Sequence, residues 1–193
     1  RQMTIKRAFI LWMNILLAVC TVNGQKKSEV HILAANDMHA NINAFPQLAA
    51  IADSLRERYP SLLVFSAGDN RPGNPANDMF RISSYPMVAL MNEVGFDATA
   101  LGNHEFYKYY DLKTIQDGLV GEIRPNVHYY YNKVVTIQDV DFIISTLWAH
   151  IDMDNAFVTE RGVADFYRIV YGENLLRYSD FNGEHQRCLD FNR

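Results

Sequence analysis

Three times between Val30 and Glu105 a short apolar run breaks off into a polar loop that carries acid, amide or imidazole side chains. Residues 30–35 run into Asn36-Asp37-Met38-His39, residues 62–65 into Ser66-Ala67-Gly68-Asp69-Asn70, and residues 98–101 into Gly102-Asn103-His104-Glu105. Each run has the length and apolar character of a buried strand. Between the first two, Phe45, Leu48, Ile51, Ala52 and Leu55 recur at helical spacing, with Pro46 suited to a first turn. Residues 85–94 read as a second helix before the third strand. Strand and helix in alternation predict an α/β chain with parallel strands and crossover helices, in which ligands collect at the carboxyl ends of the strands. All three polar loops belong at that edge.

Beyond Tyr107 the pattern changes. A helix is expected over residues 112–119, then strands over 127–131, 134–137 and 142–147 that suit a meander or hairpin. Ser179 can cap a last helix running through Cys188, with Asp180 and Glu184 near its positive end. At 193 residues, 49% of them apolar, the chain suits one substantial core. A formal charge of -4 offers no basic surface, so no nucleic-acid partner is expected.

At the N-terminal side, Lys6 and Arg7 precede an apolar run over residues 8–22, followed by Asn23-Gly24-Gln25-Lys26-Lys27. This is a signal-peptide pattern, and the run is shorter than the roughly 20 residues of a spanning helix. Val22 and Gly24 are small enough to place cleavage after Gly24. The expected organisation is therefore a leader over 1–24 and a catalytic domain over 25–193, exported to a periplasmic or extracellular location with no stable membrane span after cleavage. A rival reading makes Cys20 a lipidated cysteine. Cleavage after Gly24 removes three positive charges and no acid, taking -4 to -7. Cys188 then remains as the one cysteine, so no intrachain disulfide is expected.

Asp-x-His at Asp37 and His39, Gly-Asp at Gly68 and Asp69, and Gly-Asn-His-Glu from Gly102 to Glu105 together resemble the signature of calcineurin-like metallophosphoesterases. That resemblance implies a layered α/β/β/α sandwich and a site for two divalent ions, with manganese, zinc, iron and cobalt all compatible with mixed carboxylate, amide and imidazole donors. It implies that Asp37 and His39 bind one ion and that Asn103 offers its amide oxygen to the other. Asp69, with two carboxylate oxygens, is the natural bridge between cations about 3.5 to 4 Å apart. His104 becomes the general acid or a phosphate-contacting residue. Taken singly, Asp37 and Asn103 suit turns or helix caps, and Gly68 and Gly102 suit tight turns. Glu105 is expected to support the ligands or to cap a helix rather than to be a ligand.

Residues 30–106 are similar to the catalytic domain of secreted 5'-nucleotidases, which implies a small-molecule phosphate ester, with nucleotides a reasonable class. From Tyr107 onward, Arg124-Pro125-Asn126-Val127, Ser145-Thr146-Leu147-Trp148-Ala149-His150 and Glu160-Arg161-Gly162-Val163 resemble a compact branch of calcineurin-like phosphoesterases, which raises the possibility of a fusion at the shared Asn-His-Glu block. The later His and Gly-His-x-His block that completes the family's two metal shells does not occur in these residues. A domain truncated at its C-terminus is therefore expected, and the alternative function is a non-catalytic module that binds metal or phosphate. His150 reads as a structural or supporting residue, His31 as a packed one, and His128 and His185 as neither ligand nor catalyst. One of Asn70, Arg71 and Asn74 is a candidate phosphate contact, with a polar surface loop as the equal alternative.

Overall fold

Parallel pairing of three short strands sets the frame in the computed structural model, which describes residues 29–71, 73–82, 84–107, 110–124 and 127–193. Strand β1 (Ile32–Ala35) pairs with β2 (Leu63–Ser66), and β2 with β3 (Ala98–Ala100). The registers Ala35↔Ser66 and Ser66↔Thr99 align the carboxyl ends, so the three polar loops leave one edge together. Strand β5 (Val127–Tyr131) joins β3 in parallel, and β4 (Leu119–Arg124) lies antiparallel at the far edge, giving the order β1-β2-β3-β5-β4. His31–Arg193 form one compact unit. The expected leader over 1–24, with Cys20, lies outside the described residues. Among the described residues no helix is long and apolar enough to cross a membrane.

The pleat of β2 directs Val64 and Phe65 to opposite faces. Val64 enters a core with Phe45 and Ala52 of helix α1 (Phe45–Arg58), Met87, Met91 and Val94 of helix α3 (Tyr85–Val94), and Phe96. Between these helices lies the short α2 (Pro75–Asp78). Full burial of a side chain of this size contributes roughly 1.5–3 kcal/mol. Phe65 meets Phe142 edge-on, with ring centroids 4.9 Å apart. Phe142 belongs to the antiparallel hairpin of β6 (Lys133–Ile137) and β7 (Val140–Ile144). Helices therefore cover one face of a parallel-rich sheet and a β-layer covers part of the other, a mixed α/β layering in line with the expected sandwich. The second β-layer is a two-stranded hairpin.

Helix α1 and helix α3 fall where the periodicity predicts them, and Gly95 closes α3 in the left-handed conformation at φ +77°. The helix expected over residues 112–119 is instead a single 3-10 turn at Leu112–Thr114. Gly118, at φ +82°, donates its N–H to the carbonyls of Tyr131 (3.1 Å) and Asn132 (2.8 Å), which starts β4 at Leu119. Cross-strand pairing outweighs local helix propensity there. Ser179 is not a cap: the last helix, α6 (Tyr178–Phe191), is capped at Arg177, whose N–H donates to Asp180 Oδ2 at 3.0 Å. Residues 153–168, for which the pattern predicts no element, hold helices α4 (Met153–Gly162) and α5 (Asp165–Arg168). A small ribbon of β8 (Val170–Tyr171) and β9 (Asn174–Leu175) precedes α6.

Candidate metal centre

The loop after β1 is stitched to the loop after β2. His39 N–H donates to the Asp69 carbonyl at 3.0 Å and Ala40 N–H to the Asn70 carbonyl at 2.8 Å. Glu105 ties the second loop to the third: its carboxylate accepts the N–H groups of Asp69 (3.0 Å), Asn70 (2.9 Å) and Gly102 (2.8 Å). His104 N–H donates to Asp69 Oδ1 at 2.9 Å, so the third loop also aims the Asp69 side chain. Glu105 supports the loops, and its carboxylate is met by main-chain N–H groups and by the charge of Arg71. Burial, reinforced by the charge of Asp69, pushes its pKa up to about 7 against the pull of the Gly102 and Asp69 N–H groups.

This packing demands glycine at two places. A Cβ on Gly102 would run into the Asp69 carboxylate and main-chain N, and one on Gly68, at φ +104°, into the Gly102 main chain. Asp37, His39, Ala40 and Asp69 all have left-handed φ values between +45° and +53°. Such conformations cost of order 1–3 kcal/mol each and persist where surrounding bonds over-determine them, typically at functional sites.

Two overlapping groups result. A cleft of about 300 Å³ is lined by Asn36, Asp37, Asp69, Asn103 and Asp165, with a facing wall that includes Leu147, Trp148 and Phe181. His39, Asp69 and His104 each present one donor atom within 4.8 Å of the others. Asp69 belongs to both groups. The structure thus brings Asp37, Asp69 and Asn103 to one cleft and sets donor atoms of His39 and His104 within 4.8 Å of one of Asp69. His39 Nε2 lies 3.6 Å from Asp37 Oδ1, which links the two groups again.

Burial raises the Asp69 pKa against the opposing His104 N–H bond, and burial lowers that of His104 against the charge of Asp69. The His104 ring lies edge-on to His39 and stacks on Tyr107, each at 4.4 Å between centroids. Its Nδ1 is buried with no hydrogen-bond partner. A neutral imidazole with an unpaired nitrogen beside a half-buried carboxylate fits a divalent cation, which would supply the missing partner and favour ionised Asp69.

The remaining sequence candidates fall outside the centre. Asn70 turns inward, accepting from Ser66 Oγ at 2.6 Å and donating to Thr99 Oγ1 at 2.9 Å. Asn74 caps α2 by accepting from Ala76 N at 2.9 Å. Arg71 lines a small inner cavity with Glu105 and Tyr129. His150 is exposed, 3.7 Å from Asp152 Oδ1, and packs near His185, which pairs with the Trp148 carbonyl. His31 stacks on Tyr59. Sequence reasoning missed Asp165, whose Oδ1 accepts from Asn103 Nδ2 at 2.8 Å and from the Tyr107 hydroxyl at 2.6 Å. Nothing local to Asp165 signals this, because its partners are 62 and 58 residues away.

A parallel sheet whose strand ends gather carboxylate, imidazole and amide donors defines an α/β protein with a candidate divalent-metal centre. The family model of the calcineurin-like phosphoesterases matches residues 30–185, and the chain belongs to that family. It is 26% identical over 124 residues to the trifunctional nucleotide phosphoesterase protein YfkN of Bacillus subtilis, covering 50% of this chain and 8% of that protein. It is 37% identical over 92 residues to protein UshA of Yersinia enterocolitica, covering 42% of this chain and 16% of that protein. Snake venom 5'-nucleotidase of Gloydius brevicauda is 30% identical over 113 residues, covering 50% of this chain and 17% of that protein. The solved structure of YfkN is similar at 28% identity and a TM-score of 0.35, covering 40% of this chain and 30% of that one. The chain thus spans less than a fifth of the length of these curated relatives.

Proposed function

We propose that this chain is a metal-dependent phosphoesterase acting on nucleotides or small phosphomonoesters, and that Asp37, His39, Asp69 and Asn103 hold two divalent ions. The observation that carries this reading is the double membership of Asp69, which lines the cleft with Asp37 and Asn103 and lies within 4.8 Å of the His39 and His104 donor atoms. A carboxylate that belongs to both groups of donors is the residue a two-ion site requires. Bound ions would activate water at neutral pH and offset phosphoryl charge. His39 and Asp37 would hold one ion, Asn103 the other, and Glu105 would keep the loops in register through its three main-chain bonds. His104 would contact the phosphoryl group or serve as general acid toward the leaving oxygen. Its place among the three converging donors also suits it to a ligand role.

The names of the relatives, a nucleotide phosphoesterase and a 5'-nucleotidase, support nucleotides as the substrate class. Residues 25–193 would form the catalytic domain and residues 1–24 an export leader, so deleting 1–24 should shift the protein to the cytosolic fraction. The test of function is release of nitrophenol from nitrophenyl phosphate with Mn²⁺ or Zn²⁺. Asp69→Asn should lower it more than about 100-fold, since outer-shell partners of a metal already cost 10–100-fold. Metal binding without turnover in the wild type would assign the alternative, a binding module. Activity that survives chelation and Asp69→Asn would reject the metal-dependent reading.

A further inference from the structure

We propose that Asp165 is the positioning residue that orients Asn103 as a metal ligand, an inference that rests on the metal-centre reading above. A primary amide has nearly the same shape with its oxygen and nitrogen exchanged, so a neighbour must decide which one faces a cation. Asp165 Oδ1 accepts from Asn103 Nδ2 at 2.8 Å. A carboxylate has no hydrogen to give, so the flipped amide would set two acceptor oxygens against each other at hydrogen-bonding distance. The bond therefore fixes Nδ2 on Asp165 and leaves Oδ1 as the free acceptor of a residue that lines the same cleft as Asp37 and Asp69.

Asp165 is itself well held. It is 6% exposed, so water offers little alternative to these partners. It begins α5, where its carbonyl accepts Ile169 N–H at 2.8 Å, and its Oδ1 takes a second bond from the Tyr107 hydroxyl at 2.6 Å. Burial pushes the Tyr107 phenol upward, so that group remains a donor through the neutral range. Two donors converging on one carboxylate oxygen make a fixed acceptor. Tyr107 lies in the same 3-10 segment as Asn103 (Asn103–Tyr107), so Asp165 clamps both ends of that segment.

The test is Mn²⁺ binding by titration calorimetry on the full chain, with circular dichroism as a check of folding. Asp165→Ala should weaken Mn²⁺ binding by about 10- to 100-fold. Asn103→Asp alone should also weaken it, because two carboxylates then face each other. Adding Asp165→Asn to that variant reverses donor and acceptor across the same contact and should recover most of the affinity. The exchange keeps both side-chain shapes, so it decides the matter even where alanine at 165 unfolds the chain. Wild-type affinity in a folded Asp165→Ala, or a double variant no tighter than Asn103→Asp, would overturn the proposal. A wild type that takes up no Mn²⁺ would instead bring down the metal-centre reading and this inference with it.

Discussion

Glu105 and Glu184 are each 3% exposed, yet their surroundings could hardly differ more. Glu184, on α6, accepts the Tyr131 hydroxyl at 2.8 Å and lies 3.0 Å from Arg187 Nη1. Arg187 also reaches Asp117 at 2.9 Å and the Ile115 carbonyl at 2.7 Å, and its guanidinium sits 5.0 Å from the centre of the Tyr131 ring. Burial raises the Glu184 pKa, while Tyr131 and Arg187 oppose it. That network fastens α6 to the sheet between ordinary elements. Glu105 accepts three loop N–H groups, with the charge of Arg71 as a lesser pull, and the loops it binds hold left-handed residues and the candidate ligands. One glutamate anchors a helix; the other holds strained loops in place. Where a buried charge is matched mainly by main-chain dipoles, loop conformation and charge depend on each other.

The comparison is most exposed at Glu105. Glu105→Ala strands three N–H groups at about 1–3 kcal/mol each, so chemical denaturation should show a loss of about 4 kcal/mol. A loss below about 1 kcal/mol would mean that the glycine contacts hold the loops unaided. Next in size is the pH dependence of the metal-free chain. Glu105 is raised from 4.5 to about 7. Between those values the unfolded chain has lost the proton that the folded chain keeps, so stability should fall as pH rises across that window, by about 3 kcal/mol at most. The pH dependence should weaken in Glu105→Gln, where Glu184 and Asp69, both raised, keep the same sign and His104, lowered, opposes them.

Smaller effects are expected at the other glutamate. Arg187→Ala should cost about 2 kcal/mol, less than a fully buried pair because the arginine is partly exposed. Mn²⁺ affinity should stay unchanged, and a drop in affinity would erase the distinction between the two regions. Tyr131→Phe should cost about 1 kcal/mol through one hydrogen bond, read by thermal or chemical unfolding.

Legibility follows the same division. Helix α3 over Tyr85–Val94 and the edge where Asp37, Asp69 and Asn103 emerge could be read because apolar periodicity reports local burial directly. The segment 112–119 could not, since its apolar residues satisfy a helical spacing while Gly118 bonds to Tyr131 and Asn132 across the sheet. The role of Asn70 was equally hidden. Its place after Asp69 suggests a ligand loop, but only the packed structure shows Ser66 and Thr99 drawing its amide inward.

By itself the sequence determined the chemistry available: three strand ends, each followed within a few residues by oxygen or nitrogen donors, on a chain with an α/β pattern. Local spacing sets those features because strands and helices are short-range structures. Only the tertiary structure decided that Glu105 spends its carboxylate on three main-chain N–H groups, that Asp69 is shared by two groups of donors, and that Asp165 meets Asn103 across 62 residues. Such meetings depend on how the whole core closes, since a distant pair must offset the entropy of bringing its segments together and no local pattern records that balance.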